Sequence, residues 1–155
     1  MKPIRILSCG IAVLSSFLLA GAGQAAECSG YSADVTQVAE TVELAKGHSL
    51  LVFKAHSIVL TDDPQHKFNL ATGECSGTIL STPEGGPRGS GHCLRKDKAG
   101  DTYSVEWSLA SGAEKGTWKT VAGTGKFAGK VDSGWFQNVA ADGKMSVVRW
   151  GGMCQ

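Results

Sequence analysis

Polar and apolar residues alternate with a period of two along most of this chain, the mark of strands with one wet face and one buried face. Val38, Val42 and Leu44 alternate with polar residues and stop at Lys46-Gly47. Residues 48–60 are the richest β-forming run, with Leu50, Leu51, Val52, Phe53, Ile58, Val59 and Leu60, and Asp62-Asp63-Pro64 ends it. Residues 68–80, 89–96, 103–109, 116–121, 131–139 and 145–150 supply six more segments of the same character. A helical period shows only weakly, over 35–45. Lys98-Ala99-Gly100-Asp101 and Ala141-Asp142-Gly143-Lys144 have the composition of tight hairpin turns. Eight strands joined by short turns predict an all-β domain. The expected form is a single eight-stranded antiparallel barrel, because closure removes free sheet edges.

The stretch 116–136, GTWKTVAGTGKFAGKVDSGWF, concentrates this logic. Thr117, Trp118, Thr120 and Val121 suit a pleated, half-buried surface. Gly123, Gly125 and Gly129 let the chain turn sharply, and at least one is expected at positive φ. Gly134 marks a bulge or bend in the next strand. Gly116-Thr117-Trp118, then Gly123-Thr124-Gly125-Lys126-Phe127, then Gly129 and Gly134, resemble the glycine pattern of the allene oxide cyclase and dirigent-like barrels. Upstream, Cys93, Asp97, Gly100-Asp101 and Trp107 resemble a run found in small secreted bacterial members of that superfamily. The likeness covers roughly residues 75–134, and Ala122 stands where the pattern has a second glycine. It implies a calycin-like barrel and an isomerase or cyclase acting in an apolar cavity. The functional residues of those enzymes do not map one by one onto this chain, so none is carried over.

Residues 1–26 break the alternation. Lys2 and Arg5 precede a mostly apolar run, 11–19, and small residues follow, which predicts a secretory signal cut after Ala25 or Ala26. The apolar run is shorter than the roughly 20 residues that a membrane span needs. No lipid-attachment pattern precedes Cys28. The expected organisation is a signal over 1–26 and one barrel over 27–155, in a periplasmic or secreted protein. Two of the 15 basic residues lie in the signal, so 13 face the 14 acidic ones in the remainder. A nearly neutral domain with no basic stripe or polybasic patch gives no reason to expect nucleic acid or a membrane surface as partner.

Outside the signal stand Cys28, Cys75, Cys93 and Cys154. An even number in an exported chain favours disulfides, with three connectivities open. Cys28 and Cys154 lie near opposite ends and suit a staple between the first and last strands. Cys75 and Cys93 flank the turn-rich segment 82–89 and suit a bond across a hairpin. With no Cys-x-x-Cys pair, a zinc site is not expected.

Trp107, Trp118, Trp135 and Trp150 each fall on a different expected strand, and Tyr103 shares a face with Trp107. They are candidates for an aromatic pocket holding an apolar or planar ligand; ordinary core packing competes with that reading. Glu106 and Arg149 also fall within strands, where inward charges need a partner or a ligand and outward ones need neither. His48 and His56 share a strand face but stand about 26 Å apart at about 3.3 Å per residue, too far to share a metal. His66 and His92 lie at loops, near Asp62 and Asp63 in the first case. Asp97 and Asp101 lack the spacing of a calcium loop and read as turn caps. No phosphate loop, dinucleotide fingerprint or nucleophile elbow occurs, so no metal and no cofactor is expected. The chain reads as a binder of a small apolar or aromatic molecule without catalysis, with Tyr103, Glu106, Trp107, Trp118, Trp135 and Arg149 as candidate ligand residues. The alternatives are an isomerase or cyclase on a hydrophobic substrate, or a surface-interaction protein if side chains fill the barrel.

Overall fold

Every expected strand forms in the computed structural model, which describes residues 25–155. In chain order they are β1 (Ala26–Ala45), β2 (His48–Thr61), β3 (Thr72–Thr82), β4 (Gly86–Lys96), β5 (Thr102–Leu109), β6 (Gly116–Gly123), β7 (Ser133–Asp142) and β8 (Met145–Cys154). Each pairs antiparallel with its sequence neighbours, and β8 pairs back onto β1, closing the barrel. The expected signal lies, except for its last two residues, outside the described residues. The weak helical period over 35–45 is a strand with a bulge. Thr36 faces Ala55 and Val38 faces Lys54, so Gln37 is the extra residue. That insertion puts Val35 and Val38 three apart and imitates a helical spacing. Beyond Val35, β1 pairs with β2 alone.

Two expectations need correction. The run expected over 68–80 begins as a strand only at Thr72. Residues 62–71 fold back instead, with Val59 donating to the Ala71 carbonyl and Leu70 donating to the Val59 carbonyl. The loop thereby turns Phe68 into the barrel, where it is 3 % exposed. The strand expected over 131–139 starts at Ser133, because a short 3-10 turn, Gly125–Phe127, occupies the connection after β6. Gly125 and Gly129 have φ of 51° and 69°, as the tight crossing required. At Gly125 a side chain would also strike the Asp101 carboxylate, one oxygen of which accepts the Lys126 backbone N–H.

These loops close one end of the barrel, here called the base. Phe68 stacks on Tyr103 at 4.6 Å and on Phe127 at 5.8 Å, and it meets Trp118 and Trp150 edge-on. Beside the stack, the fully buried Asp132 accepts two bonds from the Lys67 ammonium, at 2.7 and 2.9 Å, and one from the Gln155 N–H at 2.8 Å. Cys28 and Cys154 are bonded across β1 and β8. Cys75 and Cys93 are bonded across β3 and β4, where they are direct partners in register. The opposite end, the mouth, carries the four hairpin connections at 46–47, 83–85, 110–115 and 143–144. Among the described residues no helix is long and apolar enough to cross a membrane.

Candidate functional site

Above the Phe68 plug the barrel is hollow. The cavity measures about 850 Å³ and is walled by inward positions of all eight strands. Two inward glycines on β3 and β4 make room for an aromatic of its wall. Gly77 and Gly91 lie under the Trp107 indole, and a Cβ at either position would collide with it. Trp107 in turn packs beside Phe53 at 5.9 Å and meets Phe136 edge-on at 6.1 Å. Lower down, Trp118 and Trp150 stand perpendicular at 5.9 Å, and the Trp118 Nε1–H donates to the Trp135 carbonyl at 3.1 Å. Trp107, Trp118, Trp150 and Tyr103 therefore share one cavity wall.

The other three candidates stand outside it. Trp135 precedes Phe136 on β7, and since Phe136 points inward, alternation turns Trp135 outward. There the Lys115 ammonium lies 4.2 Å from its ring centre. Glu106, next to the inward Trp107, pairs on the outer face with Lys119 at 2.9 Å. Arg149, next to the inward Trp150, makes a two-pronged bond to Asp62 at 2.7 and 2.9 Å and covers the Tyr31 ring. Hydrogen bonds from Arg149 and then from Ser29 hold the Asp62 carboxyl at about 2, below its ordinary value. Both charges have partners outside the cavity, so neither needs a ligand to satisfy it.

A different polar group does face the cavity. Arg95 on β4 and Tyr103 on β5 are direct cross-strand partners, low in the barrel just above the plug. The Arg95 Nε–H donates to Ser57 Oγ at 3.2 Å, and Nη2 donates to Ser32 Oγ at 3.3 Å and Cys75 Sγ at 3.5 Å. Ser32 Oγ donates in turn to Asp34 at 2.7 Å. Burial pushes the Asp34 carboxyl upward, against the Ser32 bond and the Arg95 charge, which pull it down. Tyr103 is 2 % exposed, and its hydroxyl finds no hydrogen-bond partner among the described residues. Burial raises its pKa as well, opposed by the Arg95 charge and by the Arg95 guanidinium, which faces the hydroxyl without completing a bond of good geometry.

The histidines stay apart from this group. His66 packs against Phe68 at the base, beside Cys28 and Cys154, whose sulfurs are bonded to each other and offer no thiolate. Asp97 caps its turn as expected, its Oδ1 accepting the N–H of Ala99 and of Asp101.

No family model matches the sequence, and no curated protein matches it. Solved structures do. The pterocarpan synthase dirigent protein GePTS1 aligns with a TM-score of 0.53 at 15 % identity, over 95 % of this chain and 98 % of that one. A second pterocarpan synthase dirigent protein, PsPTS1, aligns with a TM-score of 0.50 at 12 % identity, over 85 % of this chain and 95 % of that one. At such identities the likeness is one of fold. The chain has the eight-stranded barrel of the dirigent proteins, as its glycine pattern implied.

Proposed function

We propose that this protein is an exported barrel that holds a small apolar or aromatic molecule in its cavity without transforming it. The observation that carries the reading is a cavity of about 850 Å³, shut at the base by Phe68 and lined by three tryptophans and two phenylalanines. Cavities of roughly 300–1,000 Å³ with apolar walls and a few convergent polar groups are the usual form of small-molecule sites. Removing about 300 Å² of apolar surface from water is worth about 8 kcal/mol, the scale of micromolar binding before ordering costs. Two disulfides fit an oxidising compartment, and cleavage of the expected signal after Ala25 leaves β1 whole.

One observation favours a second reading, an isomerase or cyclase. The Asp34 carboxyl, raised by burial and lining a mainly apolar chamber, is the acid group that such chemistry would use. The fold neighbours are themselves named pterocarpan synthases.

Native mass spectrometry of protein purified from its own source separates the readings. Binding without catalysis predicts a noncovalent apolar adduct that is released chemically unchanged after prolonged incubation. An adduct that converts to an isomer over that time favours the second reading. A protein that is empty and takes up no apolar compound contradicts both.

A further inference from the structure

Arg95 is the group that the cavity leaves unfinished. Its three hydrogen bonds go to neutral acceptors, and its Nη1 makes none among the described residues. Among those residues it also has no carboxylate within ion-pair distance; Asp34, whose carboxyl feels its charge, is linked to it only through Ser32. A cation set in an apolar chamber without a counter-charge is costly unless an anion or water completes it. The Tyr103 hydroxyl, buried on the adjacent strand beside the Arg95 guanidinium, is a second donor without a well-formed hydrogen bond on the same wall. A carboxylate has four lone-pair sites and fits the planar fork of a guanidinium, so one such group would satisfy both residues. Above this pair Phe53, Trp107, Phe136 and Val148 form an apolar belt, and Thr36, Gln37, Asn138 and Ser146 add polar groups nearer the mouth.

Resting on the cavity-binding reading above, we propose that the ligand is an amphipathic monocarboxylic acid. It enters head first, and its carboxylate docks on Arg95 and Tyr103 while its apolar part fills the column beneath the mouth. Lys144 at the rim is the rival anchor for a carboxylate held the other way up, but it is exposed and solvated there. A solvated lysine gains little from such a pairing.

Calorimetric titration of the disulfide-intact protein with decanoate and decanol, below their aggregation limits, tests this. In a merely apolar cavity decanol binds better, because decanoate gives up a hydrated charge. The proposal requires decanoate to bind about tenfold tighter than decanol, as bonds to a charged group allow. Arg95→Met should weaken decanoate about tenfold or more and leave decanol within about threefold. Tyr103→Phe should cost decanoate about three- to tenfold, and Lys144→Gln less than about twofold. The wild-type comparison stands even if the Arg95 variant does not fold. Decanol binding as tightly as decanoate would overturn the proposal and leave the cavity reading intact. Loss of the acid preference in Lys144→Gln but not in Arg95→Met would overturn the head-first orientation. Binding of neither compound would overturn the proposal and the cavity reading together.

Discussion

At the base of the barrel, residues 62–71 and 124–132 are long enough to fold inward, and they deliver Phe68, Phe127 and Asp132 to buried positions. At the mouth, the connections at 46–47 and 143–144 are two-residue hairpins that reach no further than their own strands. Gly47 and Gly143 turn there at φ of 76° and 57° and remain exposed. The walls between follow the alternation rule, interrupted by bulges in β1, β6 and β7. The contrast teaches that a closed sheet of this kind becomes a cup, rather than a filled rod, through its loops. Two long connections at one end supply a plug, the connections at the other, six residues or fewer, supply none, and the inward glycines let the Trp107 indole lie back against the wall.

If the base carries the stability, breaking it should cost most. Replacing Cys28 and Cys154 together by serine releases the long covalent closure and should lower unfolding free energy by about 4–5 kcal/mol in the chain-entropy model. The same change at Cys75 and Cys93, which closes a short hairpin, should cost about 3 kcal/mol. Denaturant unfolding of the two double variants measures the difference, and an inverted order would break the comparison. Phe68→Ala removes the plug itself and should cost about 3–5 kcal/mol, with the cavity extending downward in a crystal structure.

The glycines offer a finer test. Gly125 and Gly143 both hold positive φ, but only Gly125 has a neighbour, Asp101, where a side chain would go. Gly125→Ala should therefore cost about 2–3 kcal/mol and Gly143→Ala about 1 kcal/mol. Equal costs would mean that backbone strain alone matters and that the packed base adds nothing.

How much of this was legible in the sequence follows from what alternation can and cannot encode. Strand number, strand order and both disulfides follow from period-two runs, turn residues and cysteine positions. Phe68 does not. In Phe68-Asn69-Leu70-Ala71 the apolar and polar residues alternate as in a strand, and only the backbone, with Leu70 at φ 60°, shows a loop. The outward placement of Glu106, Trp135 and Arg149 was readable. Each adjoins an aromatic that faces inward (Trp107, Phe136 and Trp150), and strand neighbours cannot share a face. Arg95 was readable by the same rule, two residues from the inward Cys93, yet it looks like a surface cation in Leu94-Arg95-Lys96. The unmet hydrogen bonds of Tyr103 and Arg95 depend on three-dimensional neighbours, and no spacing reports them.

The smallest expected effects are electrostatic. Asp62, on the outer face at the base end, titrates at about 2, below its ordinary 3.8. Its contribution to stability is present above 3.8 and is lost as pH falls through about 2. The pair is well exposed, so that contribution is slight. Asp34, inside the cavity, is shifted the other way. Its neutral form is favoured in the fold, so its contribution is present below 3.8 and is lost as pH rises through the raised folded value. Asp34→Asn should accordingly stabilise the protein at neutral pH and change little at pH 3. Carboxyl NMR titration should find Asp62 below 3.8 and Asp34 above it, and Arg149→Ala should return Asp62 toward 3.8 while leaving Asp34 in place.

The central claim is that the interior is a binding cavity entered from the mouth, and the tryptophan indoles report on it with a built-in control. Trp107, Trp118 and Trp150 line the cavity, whereas Trp135 lies outside beneath Lys115. In an NMR titration with two unrelated apolar probes, decanol and 2-naphthol, the indole N–H signals of Trp107, Trp118 and Trp150 should shift in a saturable way while that of Trp135 moves least. Shifts confined to Trp135, with the three interior indoles silent at saturating probe, would contradict the account.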